Sequence, residues 1–165
     1  MLDLRTLRLS VGESHREEIP VTLERFSSGG VAYEAIPGRF PAWLRVTRMP
    51  SGLLFDLGFD GSVFGPCQRC LEEARTDLRV DAREYQAHTP EPGTEIDTTS
   101  PYVDGELLDV DRWAQDALLL AMPVKVLCRE DCAGLCPTCG SDLNAGDCGC
   151  EPVPDARWSK LRDLL

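Results

Sequence analysis

A chain of 165 residues with 42% hydrophobic side chains is long enough for one cored domain and too apolar to be disordered throughout. Its 17 basic and 28 acidic residues give a formal charge of −11, which opposes non-specific attachment to phosphate backbones, where cations must displace counterions. The same charge favours a basic partner. Only two of the cations, Lys125 and Lys160, are lysines, a bias that genome composition explains more simply than phosphate recognition.

The first residues, Met1-Leu2-Asp3-Leu4-Arg5, bring charge at once with no apolar run behind them, so no signal peptide is expected. No stretch approaches the ~20 apolar residues of a membrane span. The expected location is the cytoplasm, without membrane attachment. In that reducing compartment paired cysteines are metal ligands or redox centres before they are disulfides.

The first half reads as antiparallel β-structure. Residues 17–24 place Ile19, Val21 and Leu23 at alternate positions. Residues 42–49 continue with Leu44 and Val46 after the Pro37-Gly38 break. Residues 53–64 set Phe55, Leu57 and Phe59 on one face, opposite Asp56 and Asp60. Residues 75–85 set Leu78, Val80 and Ala82 against Asp77, Arg79, Asp81 and Arg83, a mixed-charge solvated face and not an RNA-binding stripe. His15 and His88 fall in segments read as loops and are expected to be solvated, as is the Glu72-Glu73 pair. Residues 87–105, rich in proline, threonine and acid, read as a mobile loop. Asp109 then serves as an N-cap, with Asp111 in the first turn. Val110, Trp113, Ala114, Ala117, Leu118 and Ala121 mark the buried stripe of a helix limited by Pro123. A second helix is expected from Asp155, with Trp158, Leu161 and Leu165 on one side.

All eight cysteines fall in close pairs: Cys67-Gln-Arg-Cys70, Cys128 with Cys132, Cys136-Pro-Thr-Cys139 and Cys148-Gly-Cys150. Eight thiolates supply two tetrahedral zinc sites. Cys136, Cys139, Cys148 and Cys150 are grouped as one site. Proline fixes its turn, and Gly140 lets the backbone double back past the metal. Cys67, Cys70, Cys128 and Cys132 form the other, in which a hairpin tip between two strands is tied to the segment after the main helix. Exchange of partners between pairs, cross-brace fashion, stays open at this level. Two filled sites would bring the charge to roughly −15. Buried apolar cysteine is a weak alternative for four tight pairs. Redox dithiols normally open a helix in a βαβ context, and these pairs sit between strands or in Gly/Pro-rich segments. No P-loop, dinucleotide glycine fingerprint or G-x-S-x-G motif occurs.

Together these motifs carry a family resemblance. Cys67-Gln-Arg-Cys70-Leu71, the helix ending Leu118-Leu-Leu-Ala-Met-Pro123, and Cys132-Ala-Gly-Leu-Cys-Pro-Thr-Cys-Gly140 with Asp142-Leu-Asn144 and Cys148-Gly-Cys150 are the residues concerned. The ordered set resembles the YceD-like family of large ribosomal RNA subunit accumulation proteins, from about Gly52 onward. The resemblance implies a non-enzymatic factor supporting accumulation or processing of large-subunit ribosomal RNA. Its implied partners are the rRNA precursor, ribosomal proteins, or both. It carries over the eight cysteines and no catalytic residue.

The expected fold is thus α+β, a single domain over 1–165. A β-rich antiparallel half, barrel- or sandwich-like, occupies 1–86; the loop covers 87–105; the helix, zinc-knuckle module and short C-terminal helix occupy 106–165. Two zinc ions are the expected cofactors. Two other functions are carried forward: an acidic, zinc-stabilised adaptor for proteins without RNA contact, and a thiol redox protein.

Overall fold

The computed structural model describes residues 1–88 and 99–151. Strand β1 (Leu2–Asp3) leads into a 3-10 turn at Leu4–Thr6, where the Asp3 carboxylate accepts from the Arg5 N–H at 3.0 Å. Then come β2 (Ser14–Thr22), β3 (Phe26–Ser28), β4 (Val31–Ile36), β5 (Arg39–Met49), β6 (Gly52–Pro66) and β7 (Glu73–Ala87). Short strands β8 (Val103–Asp104) and β9 (Leu107–Leu108) precede helix α1 (Val110–Ala121).

Strand β6 organises the main sheet. One edge pairs with β7 along its whole length, from Gly52 opposite Ala87 to Pro66 opposite Glu73. The other edge is shared: β5 takes the first half, from Met49–Gly52 to Trp43–Gly58, and β4 takes Ser62 to Phe64. Strand β2 pairs outside β5, and β3 outside β4. A separate small sheet has the order β1-β9-β8.

The period of two puts Phe55, Leu57 and Phe59 of β6 on one face with Leu44 and Val46 of β5, Val21 of β2 and Val80 of β7, all buried. Helix α1 covers this face with Val110, Trp113, Ala114, Ala117 and Leu118. Its indole meets the Phe55 ring edge-on at 6.4 Å. Each large side chain so buried contributes about 1.5–3 kcal/mol. The Asp109 carboxylate accepts from the Arg112 N–H at 3.1 Å and caps the helix. Met122 is already extended, as a residue before proline must be. Backbone N–H groups at the end of β2 and just past it hold the helix in place. Thr22 donates to the Asp111 carboxylate at 2.7 Å and Glu24 to the Gln115 side-chain oxygen at 2.8 Å. On the outer face, the Trp43 indole lies over Gly58, where a Cβ would come within 2.5 Å of the ring.

Several expectations need correction. The sheet is open and not a barrel: among the described residues β2 and β3 on one side of β6 and β7 on the other stay separate edges, and a helix, not a returning strand, closes the core. Part of the expected loop is ordered, because Ser100 is buried and β8 pairs with β9. His15 lies on β2 opposite Val46. Asp56 does sit on the outer face, yet only 8% of it is exposed, since Arg83 Nε covers it at 2.7 Å. The rest of the expected loop, 89–98, and the helix expected from Asp155 lie outside the described residues.

Candidate metal centres

The β6–β7 hairpin ends in a turn made by Cys67 to Glu72. The Cys67 N–H donates to the Glu72 carbonyl at 2.7 Å, and the Leu71 N–H to the Cys67 carbonyl at 3.0 Å. The same two bonds recur at Cys136 to Ser141. There the Cys136 N–H donates to the Ser141 carbonyl and the Gly140 N–H to the Cys136 carbonyl, each at 2.8 Å. Both turns need a left-handed residue after the second cysteine: φ is 76° at Gly140 and 66° at Leu71. Glycine adopts this region freely, whereas a residue with a Cβ pays roughly 1–2 kcal/mol.

The hairpin tip receives the chain that follows α1. The Gln68 N–H donates to the Val126 carbonyl at 2.9 Å, and the Arg69 guanidinium donates to the Cys132 carbonyl at 2.7 Å. These contacts bring Cys67, Cys70, Cys128 and Cys132 together, with all four sulfurs within 4.8 Å of one another. Cys136, Cys139, Cys148 and Cys150 form a second group within the same limit. Neither histidine belongs to either group. All eight thiols are free of disulfides.

The geometry suits a tetrahedral metal ion, as the distances zinc would require illustrate. Zn–S bonds of about 2.3 Å in a tetrahedron put the sulfurs about 3.8 Å apart. Cys67 Sγ is 3.8 Å from Cys132 Sγ, and Cys70 Sγ is 3.6 Å from Cys128 Sγ. Proton affinities point the same way. Burial opposes ionisation of Cys67, but N–H groups of Cys70, Arg69 and Cys128 outweigh it and lower the thiol to about 6. The Glu72 N–H favours the Cys70 thiolate, yet desolvation and the neighbouring sulfurs push that group up to about 12. In the second group the Ser141 hydroxyl and N–H bring Cys139 down to about 6, while the Cys139 and Cys148 sulfurs push Cys150 up to about 12. Four adjacent thiols therefore do not all ionise by themselves, and a cation at their centre removes the conflict. When bound, zinc supplies cross-linking of chain segments, and four protein ligands leave no open position for substrate.

The two centres differ in setting. Cys67, Cys70 and Cys132 are buried, while the second group contains exposed Cys139 and half-buried Cys148 and Cys150. They are joined by backbone and side chain. The Leu135 N–H donates to the Arg69 carbonyl at 3.1 Å, and the Leu143 N–H to the Gly134 carbonyl at 2.9 Å. Asn144, from the loop between Cys139 and Cys148, directs its amide N–H at Cys132 Sγ, 3.5 Å away. Its side-chain oxygen accepts from the Ala133 N–H at 2.8 Å and the Arg129 guanidinium at 2.7 Å. Sequence reasoning placed Asn144 in the loop but not in contact with the other group. An Asx residue between ligand pairs was the available signal.

Among the described residues no helix is long and apolar enough to cross a membrane. A β-sheet protein whose hairpin tip and post-helix segment bring together two groups of four cysteines is the class this structure defines. Residues 55–165, which include every cysteine, match the family described as large ribosomal RNA subunit accumulation protein YceD, and the chain belongs to it. Uncharacterized proteins of Mycobacterium bovis and Mycobacterium tuberculosis are each 34% identical over 125 residues, covering 74% of this chain and 60% of theirs. One of Mycobacterium leprae is 31% identical over 125 residues, covering 74% of this chain and 57% of its own. The match thus spans somewhat over half the length of these curated relatives. No solved structure matches the chain significantly.

Proposed function

We propose that this chain is a zinc-holding, non-catalytic cytoplasmic factor that supports accumulation of large-subunit ribosomal RNA during ribosome assembly, together with a ribosomal protein. Membership of the YceD family carries the reading. The cysteine groups support a scaffolding use of metal. Cys67, Cys70, Cys128 and Cys132 would hold one ion that pins the hairpin tip to the segment after α1. Cys136, Cys139, Cys148 and Cys150 would hold another that shapes the loop-rich tail. Placing Cys67 and Cys70 at a hairpin tip, away from a helix start, weighs against thiol redox work.

Crosslinking in cells, followed by RNA sequencing and mass spectrometry, tests the function. Enrichment of large-subunit rRNA or its proteins is expected; recovery of neither above background would sink it. The charge of −11 favours a second reading, an adaptor that meets basic proteins without touching RNA. Binding of purified protein to naked rRNA at physiological salt would count against that adaptor.

A further inference from the structure

The two cysteine turns form an internal comparison. They share their backbone hydrogen bonds and their left-handed fifth position, but one fills it with Gly140 and the other with Leu71. Leu71 gains no burial in return for its conformation, since it is 65% exposed. A strained, exposed, large apolar residue is destabilising in the isolated chain, and such strain tends to persist where it serves a contact. Leu71 also forms one wall of a groove of about 380 Å³, with Tyr33, Phe64 and Pro66 among its other walls. The Tyr33 hydroxyl, in the lining, donates to the Pro66 carbonyl at 3.3 Å and accepts from the Gln68 amide at 3.2 Å, which ties these walls to the hairpin tip.

Charge selects the occupant. At the rim, Arg25 is already neutralised by Glu34 at 2.8 Å. Arg75, whose guanidinium lies 5.4 Å from the Phe64 ring centre, pairs with Asp77 at 2.9 Å. Exposed Glu72 and Glu73 have no ion-pair partner among the described residues, and the one cation in the same turn, Arg69, is held by the Cys132 carbonyl, so acids outnumber bases at the tip. A four-thiolate zinc directly behind the tip would add a net charge of about −2. A net negative tip with a projecting leucine beside the Tyr33, Phe64 and Pro66 surface fits a cationic segment carrying an apolar anchor, and repels a phosphate backbone.

We infer that the Leu71 tip and its groove are a docking site for a lysine- and arginine-rich protein segment that buries one apolar side chain against Leu71. The inference rests on the assembly-factor reading, and specifies the chemistry of its protein partner and the surface that meets it. The zinc-loaded full chain carrying Leu71→p-benzoylphenylalanine is irradiated with RNA-free proteins extracted from large ribosomal subunits. A chain with the same photoreactive group at exposed Val11 is the control. The expected product is a crosslink from position 71 to a lysine- and arginine-rich segment. A synthetic peptide of that segment should bind Leu71→Gly about tenfold more weakly than the native chain, because one buried apolar contact is lost. The same variant should melt about 2–4 °C higher, because glycine relieves the left-handed strain. The double substitution Glu72→Gln with Glu73→Gln should weaken the peptide several-fold and flatten its salt dependence.

Improved stability with weakened binding is the signature of a residue kept for docking. No crosslink above the Val11 control, preferential crosslinking to added rRNA, unchanged peptide affinity in Leu71→Gly, or a lowered melting temperature would each overturn the inference. If rRNA or ribosomal proteins are still captured in cells while position 71 captures nothing, the assembly-factor reading stands and the docking site falls. If cells yield neither, the reading itself falls.

Discussion

Replacing Cys70 with serine removes one sulfur from the group that ties the hairpin tip to the segment beyond α1. Cys70 and Cys128 lie 58 positions apart, with Sγ atoms 3.6 Å apart. A cross-link across a loop of that length takes about 4 kcal/mol of entropy from the unfolded chain, and that is the scale of stabilisation lost when the four-sulfur clip is broken. Domains are stable by only about 5–15 kcal/mol, so the loss is a large share of the total. For a chain of this size it corresponds to a drop of about 8–16 °C in melting temperature. The assay pairs thermal melting by circular dichroism with zinc content after gel filtration. Cys70→Ser should lose one zinc per chain and melt in that lower range. Cys136→Ser should also lose one zinc, with a smaller effect on the sheet, because its group spans only 136–150. If Cys70→Ser kept two zinc ions and melted within 2 °C of the native chain, the reasoning that this group is a long-range staple would be refuted, since about 4 kcal/mol should be visible.

Removal of the Asn144 amide takes a donor from Cys132 Sγ and leaves the Ala133 N–H unpaired. Asn144→Ala should weaken zinc at the first centre by about tenfold or more in a chelator competition, with less effect on the second. Asp109→Ala deletes the helix cap at Arg112 and should cost about 1 kcal/mol in urea unfolding, with no change in zinc content. In zinc-free, reduced protein, exposed Cys139, held at about 6 first by the Ser141 hydroxyl, should alkylate at a rate half-maximal near that pH. Because the thiolate is the nucleophile, its lowered proton affinity keeps it reactive as pH falls toward that value. Cys150, pushed up to about 12 by the Cys139 and Cys148 sulfurs, should remain unlabelled at pH 8. Peptide mapping reads both, and zinc should protect Cys139.

The grouping of cysteines was legible because local spacing and one long-range need for four ligands leave few solutions. The groups that form within 4.8 Å are the ones the spacing suggests. Helix α1 was legible from Val110, Trp113, Ala114, Ala117 and Leu118, which recur on one face and carry a cap at Asp109. The β6–β7 hairpin was legible from alternation at Phe55, Leu57 and Phe59, though not its full length to Ala87. Short elements were not legible. The β3–β4 hairpin turns at Gly29-Gly30, but three residues of β3 hold no periodic signal. The β1-β9-β8 sheet joins two-residue strands about a hundred positions apart, which no local pattern encodes. A barrel- or sandwich-like sheet was expected for the β-rich half, and strand alternation does not reveal that the sheet stays open while α1 takes the place of a closing strand. The role of Asn144 and the strain at Leu71 depend on coordinates, since residue type gives neither a contact to Cys132 nor a φ of 66°.

Native mass spectrometry of the purified full chain, with metal identified by elemental analysis, tests the two-centre scaffold most directly. Two zinc ions per chain, with all eight thiols unreactive until chelator and denaturant are added, is the expected result. Chains that carry no zinc, or that carry one zinc with Cys67 and Cys70 freely reactive or oxidised to a disulfide, would contradict it.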